Sequence, residues 1–115
     1  YRRYVSHRDH RIAGQATLDA VYPAARDLLA FPDLAEHGFL PHKVKEVYLW
    51  GCMEPNYVSD ITHTFELKMA ALCCHKSQID NMGELEERIK DRCKTAAAGT
   101  SYGMAEAFHH FEMTY

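Results

Sequence analysis

The run Val47-Tyr48-Leu49-Trp50, closed at once by Gly51, constrains this chain more than any other feature. β-Branched and aromatic residues pack well on a pleated surface, and a glycine punctuates such a run. We place a strand over 43–50, and its near-continuous apolar stretch predicts an internal strand covered on both faces. Tyr48 and Trp50 are then expected in the core, the alternative being that they line a sugar site. A second, short strand is expected over 57–61. One or two strands cannot build a whole sheet. The pattern therefore predicts an α/β layer architecture whose remaining strands lie upstream of this segment.

Helical signals surround the strands. Residues 1–6 read as the tail of a strand or a loop. Ile12, Ala16, Ala20 and Ala13, Thr17, Val21 recur at helical spacing behind Asp9, whose carboxylate suits an N-cap. Pro23 supplies no amide and ends or restarts that helix, with one more turn expected over 24–29. Residues 31–42 read as a connecting loop, with Phe31, Leu34, Phe39 and Leu40 expected to pin it to the body. A helix over 63–78, capped by Asp60 or Thr62, is apolar nearly all round, which predicts burial. The last helix has sharper signals: Asn81 and Glu84 form a capping-box-like pair. Leu85, Ile89, Cys93 and Ala97 make one stripe behind them, and Gly99 stops the helix. Residues 104–113 show no decisive period.

At 115 residues, the chain suits one small domain or a piece of a larger one. Its start at Tyr1 rather than Met favours the piece. Its 47% hydrophobic and 25% charged residues are those of a globular chain, not a disordered one. A net charge of -3 with no long basic run argues against a nucleic-acid partner. No apolar run approaches the roughly 20 residues of a membrane span, and no signal-peptide pattern opens the chain. A cytoplasmic location follows by default. Cys52, Cys73, Cys74 and Cys93 contain no C-x-x-C pair, so four free, mostly buried thiols are expected.

Eight histidines is a high count for this length, and it motivates a search for a site. His7-Arg8-Asp9-His10 is the one dense cluster. On a helix, His7 and His10 would share a face with Asp9 beside both. An imidazole nitrogen binds zinc at about 2.0–2.1 Å, and a catalytic zinc keeps three protein ligands and one open position. The cluster supplies part of such a set at most. On spacing alone, a helix start capped by Asp9 and flanked by two surface histidines is the better reading.

The surrounding residues change that weighting. His7-Arg8-Asp9-His10-Arg11-Ile12-Ala13-Gly14 resembles the H-P-D-H-R-x-x-G stretch of the LmbE/PIG-L family of zinc-dependent N-acetyl-sugar deacetylases. The likeness continues through Leu18 to Arg26, Pro41 to Gly51, Glu54-Pro55-Asn56 and Asp60-Ile61-Thr62. It extends to Lys68-Met69-Ala70-Ala71-Leu72, His75-Lys76-Ser77-Gln78 and Ala105-Glu106-Ala107-Phe108, in the family's order. The resemblance implies a Rossmann-like α/β fold, with residues 1–115 forming the carboxy-terminal part of a single deacetylase domain. It also implies hydrolysis of an acetamide on a sugar, with Zn2+ bound by His10. By the same resemblance, His7 stabilises the tetrahedral intermediate or protonates the leaving amine, and Asp9 orients its ring. Zinc would lower the pKa of its water to about 7 and polarise the carbonyl. A carboxylate-oriented imidazolium would stabilise the charge that develops on oxygen.

Some positions depart from the family. Its other zinc ligands and catalytic base lie in an A-H-P-D-D motif that this sequence lacks. Arg8 replaces the usual proline and adds a cation that disfavours protonated His7. Met104 stands where an aromatic residue is frequent. We assign no chemical step to His75-Lys76-Ser77-Gln78; His75 is expected to bond across to a loop and Gln78 to finish a helix. His109 and His110 are expected at the surface, since strand neighbours alternate faces. His37, His42 and His63 look incidental.

The expected function is a zinc-dependent hydrolase that removes an acetyl group from an N-acetylated sugar or glycoconjugate. The chain by itself is expected to be inactive, because one ligand cannot hold a catalytic zinc. The alternative is a non-catalytic degenerate homologue serving as a binding or assembly module. Hydrolysis of a different amide is a weaker third reading. The expected partner is an N-acetyl-sugar-type small molecule, with no nucleic acid and no membrane span. Homo-oligomers through the unpaired edge of the 44–50 strand are a further expectation.

Overall fold

The structure, a computed structural model, describes residues 7–114; the expected strand tail or loop over 1–6 lies outside them. Helix α1 (Arg8–Asp19) is broken by a kink within Ala20–Ala24, where Tyr22 before Pro23 is extended at φ -150° and ψ 126°, and a short α2 (Pro32–Glu36) follows. Strands β1 (Glu46–Trp50) and β2 (Tyr57–Asp60) come next, then α3 (Phe65–Cys73), α4 (Met82–Ala97) and β3 (Ala105–Glu112). The architecture is mixed α/β. The strands form one sheet of order β1-β3-β2, in which β2 and β3 are antiparallel, with Tyr57 opposite Phe108 and Asp60 opposite Ala105.

This order corrects the reading of 43–50 as an internal strand: β1 lies at a sheet edge. Only Val47 is buried and Leu49 half-buried, while Glu46, Tyr48 and Trp50 are exposed. A strand packed on one face buries every second residue, whatever the side chains on its other face. Tyr48 and Trp50 are therefore not core residues. The cysteine expectation also needs correction, because Cys93 is buried, Cys52 half-buried, and Cys73 and Cys74 exposed, although all four are free.

The chain divides into two compact units, of which Leu49–His110 is one. Its core is Ile61, Phe65, Met69 and Cys93, with Leu72, Met82, Ile89 and Met104 packed around them. Helix α4 follows its sequence signals closely. The Asn81 side chain accepts from the Glu84 amide at 3.2 Å, which satisfies one of the orphan donors of a helix start. Leu85 and Ile89 are half-buried, and Cys93 and Ala97 buried, along one stripe. Gly99 takes a positive φ of 81°, the left-handed conformation in which a helix commonly ends on glycine. Burial pushes the Cys93 thiol up from its ordinary pKa, the mark of an inert core cysteine.

Helix α3 is shorter than the predicted 63–78, and it is not buried all round. Phe65 and Met69, one helical turn apart, enter the core while Leu67 stays exposed. An apolar helix with cover on one side buries only that side. Lys68 of α3 pairs with Glu106 of β3 in a half-buried ion pair, joining two of the recurrent sequence landmarks. Gln78 does not finish the helix; its amide donates to the His75 carbonyl at 2.9 Å in a turn beyond it.

Asp60 and Thr62 were expected to cap α3, but they tie β2 to the entry of β3 instead. Asp60 Oδ1 accepts from the Thr62 amide at 2.9 Å and from its hydroxyl at 2.5 Å. Thr62 Oγ1 in turn accepts from the amides of Gly103 at 3.0 Å and Met104 at 3.1 Å. One hydroxyl thus uses its proton and both lone pairs. A Cβ on Gly103 would stand 3.1 Å from Thr62 Cγ2, so this approach favours glycine. The Thr62 hydroxyl bond, then the Thr62 amide, hold the Asp60 carboxyl below its ordinary pKa.

The other unit runs to Tyr48 and takes up the chain again at Phe111. Here the Met113 amide donates to the Lys45 carbonyl at 2.8 Å, and the His42 amide to the Ala25 carbonyl at 2.7 Å. Neither α1 nor α2 buries a residue. The predicted connecting loop contains α2, and Phe31, Leu34, Phe39 and Leu40 are exposed rather than pinned down. They line an open groove of about 330 Å³.

Candidate functional site

Helix α1 starts two residues earlier along the motif than an Asp9 cap would allow, and its N-cap is His7, at φ -52° and ψ 138°. Asp9 falls in the first turn, where a carboxylate opposes the positive end of the helix dipole. His7 Nδ1 accepts from the Asp9 amide at 3.2 Å. The Asp9 carboxylate stands 3.7 Å from that same nitrogen and 3.8 Å from Arg8 Nε. Both separations are ion-pair distances beyond hydrogen-bond range. The His7 and His10 rings lie 5.9 Å apart, tilted by 53°. The whole cluster is exposed.

This geometry fixes a tautomer. A nitrogen that accepts from an amide carries a lone pair, so a neutral His7 holds its proton on Nε2. Protonating the ring places a hydrogen on Nδ1, which breaks the bond to the Asp9 amide and favours the Asp9 carboxylate nearby. Each charge state of His7 thus has its own partner on Asp9, the amide for the neutral ring and the carboxylate for the cation. Arg8 draws on that same carboxylate from the other side.

Among the described residues, no group of three or more His, Cys, Asp or Glu side chains forms a set able to hold a metal ion. Catalytic zinc takes three protein ligands. The described residues do not fit such an ion by themselves; the exposed His10 imidazole fits as one donor.

A second cluster, in the Leu49–His110 unit, escaped the sequence reading. His109 Nδ1 lies 2.8 Å from the Glu54 carbonyl oxygen. A carbonyl only accepts, so this nitrogen bears the proton. Asn56 exchanges both side-chain bonds with the backbone of His110: its Oδ1 accepts at 2.7 Å and its Nδ2 donates at 2.8 Å. Its own amide donates to Phe108 at 3.0 Å. The His110 ring packs 5.7 Å from that of Tyr57. His109 and His110 are half-buried partners of the 54–57 segment, not the surface residues expected. A signal was present in Glu54-Pro55-Asn56 and Ala105-Glu106-Ala107-Phe108, two landmarks with no local reason to recur. Their pairing across more than 50 residues cannot be read from either one.

The remaining histidines are structural or exposed. His37 Nδ1 lies 2.7 Å from the Asp33 carbonyl within the α2 turn. His75 bonds through its backbone, from its amide to the Leu72 carbonyl and from the Gln78 amide to its own carbonyl. Its ring is exposed, and among the described residues the expected bond to a neighbouring loop is not found. Among the described residues, no helix is long and apolar enough to cross a membrane.

The chain is similar to a diacetylchitobiose deacetylase of Thermococcus kodakarensis, at 35% identity over 85 residues. The match takes in 73% of this chain and 32% of the relative, so the chain spans about a third of that protein's length. No family model and no solved structure matches the chain.

Proposed function

We propose that this chain is part of a zinc-dependent hydrolase that removes an acetyl group from an N-acetylated sugar or glycoconjugate. The similarity to a diacetylchitobiose deacetylase carries the reading, and the His7-Arg8-Asp9-His10 stretch at the start of α1 supports it. In this reading the chain is the carboxy-terminal part of one LmbE/PIG-L-type domain of Rossmann-like fold, and the intact protein is cytoplasmic.

His10 is one donor to Zn2+, and the other donors come from polypeptide outside the described residues. When bound, the ion would polarise the acetamide carbonyl and lower the pKa of a bound water. His7 acts through Nε2. With Nδ1 engaged by the Asp9 amide, the neutral ring offers an Nε2–H donor to an oxygen on which negative charge develops. If the ring is protonated, the Asp9 carboxylate balances its charge, and Nε2 can pass a proton to the departing amine. Asp9 thus serves as the positioning residue for both states. Arg8 weakens the second by drawing on the same carboxylate.

The test is acetate release from N-acetylated chitooligosaccharides by the intact gene product, with bound zinc measured alongside. Chelator-sensitive release is expected, with zinc and activity both lost in His10→Ala, while the 115-residue chain alone releases none. Stoichiometric zinc and normal rates in His10→Ala would remove the ligand role. The second reading, a non-catalytic homologue, draws on the lack of a three-donor set among the described residues. It predicts no release by the intact protein, whatever its zinc content.

A further inference from the structure

The groove of about 330 Å³ over residues 20–42 lies wholly within one compact unit. It is lined by small residues, Ala20, Ala24 and Ala25, and by large ones, Phe31, Phe39 and Leu40. The three large side chains are 57%, 67% and 77% exposed. Backbone bonds brace this shape. The His42 amide donates to the Ala25 carbonyl at 2.7 Å, and the Phe39 amide to the Leu34 carbonyl at 2.9 Å. Gly38, at a positive φ of 85°, turns the chain within the second of these links. A shape held in this way avoids the ordering cost of binding.

The chemistry of the groove selects its occupant. Its lining is apolar apart from Asp27 and His42, and Asp27 Oδ1 already accepts from the Leu29 amide at 2.9 Å. A small-molecule site needs several placed polar groups to orient its ligand. A braced apolar groove suits the apolar side chains of another polypeptide segment. The unit also lacks what such a segment would supply. Val47 is its one buried apolar side chain among the described residues, whereas folding is driven by the apolar surface that a domain buries.

Side chains that complete a core have to be at hand as the unit folds. A segment of the same polypeptide is held nearby at an effective concentration on the order of millimolar, while a second copy has to be found by association. The relative has the length for such a segment, since the match takes in 32% of it and leaves about two thirds outside. We infer that the 20–42 groove is an interior surface of the intact protein, filled by apolar side chains of the same polypeptide from outside these 115 residues. The inference rests on the reading of this chain as part of one larger domain.

Solvent access at position 40 reads the groove directly. Leu40→Cys is made in the 115-residue chain and in the intact gene product, and maleimide labelling is read peptide by peptide, apart from the native thiols. Rates in urea give the unprotected limit. Labelling is expected near that limit in the 115-residue chain and about 10-fold or more below it in the intact protein. Hydrogen exchange over 31–42 in the unsubstituted proteins makes the same comparison and decides it where Leu40→Cys does not fold. Slower exchange in the intact protein is the expected result. Equal access in the two proteins overturns the inference, as does an intact gene product no longer than this chain. Protection that disappears on dilution overturns it too, because a second copy is then the occupant. Neither readout depends on activity. Acetate release with an open groove removes this inference and leaves the deacetylase reading, and a covered groove without acetate release does the reverse.

Discussion

The two compact units use their apolar residues in opposite ways. In Leu49–His110, Phe65, Met69 and Cys93 are buried, and polar ties such as Asp60–Thr62 close the joints between strands. In the unit containing α1 and α2, Phe31, Leu34, Phe39 and Leu40 are exposed along an open groove, and neither helix buries a side chain. The proposed catalytic histidines belong to that second unit, in which Val47 is the one buried apolar side chain among the described residues. Stability and the proposed chemistry therefore depend on different residues, and substitutions should separate them.

The largest effect is expected from truncating the core. Phe65→Ala leaves a cavity between α3 and α4 and should cost about 3–5 kcal/mol. Phe31→Ala removes a ring that is 57% exposed and should stay within about 0.5 kcal/mol. Urea unfolding followed by far-ultraviolet circular dichroism measures both. Comparable losses for the two would mean that the groove around Phe31 is covered in solution, and the contrast between the units would disappear.

A smaller effect is expected at the Asp60–Thr62 joint. Thr62→Val keeps the shape but removes the acceptor of two amides and the donor to Asp60. These groups are exposed and water can take up the lost partners, so the loss should be well below that at Phe65. The substitution should also change the acid limb of stability. Asp60 has a lowered folded-state pKa, so the unfolded chain binds the extra proton first as pH falls. Its contribution is present above the unfolded pKa and is lost as pH drops through the folded one. Unfolding midpoints recorded from neutral to acid pH should fall less steeply in Thr62→Val than in the parent chain. An unchanged acid limb would break the proposed link between the hydroxyl and the carboxylate.

What the sequence disclosed depended on how local each cause was. Helix α4 was legible because Asn81, Glu84, the Leu85–Ala97 stripe and Gly99 act within one element. The edge position of β1 was not, because the alternation that exposes Trp50 comes from which face other chain segments cover, and Val47-Tyr48-Leu49-Trp50 is apolar on both. The Asp60–Thr62 joint draws on Gly103 and Met104, more than 40 residues away, so nearby α3 looked like the better use for both side chains. At the candidate site, His7, Asp9 and His10 were identified by resemblance, but their division of labour was not. Asp9 looked like the cap because carboxylates are the commoner caps, whereas the ring of His7 occupies that position.

The smallest energetic effect offers the sharpest contrast between the units, since it concerns a single proton on each of two histidines. His7 accepts at Nδ1 from the Asp9 amide, so its neutral form should be the Nε2–H tautomer. His109 donates from Nδ1 to the Glu54 carbonyl, so its neutral form should be the Nδ1–H tautomer. Nitrogen-15 shifts of the two rings in their neutral forms should show opposite patterns. Replacing Asp9 by Pro deletes the amide donor and should release His7 to a mixture of tautomers without touching His109. Asp9→Asn keeps the amide and should leave His7 as it was. If Asp9→Asn shifted the His7 tautomer as much as Asp9→Pro did, the carboxylate rather than the amide would be setting the ring. The proton would then sit on Nδ1, leaving Nε2 as an acceptor, and the donor role proposed for the neutral His7 would give way to that of a base.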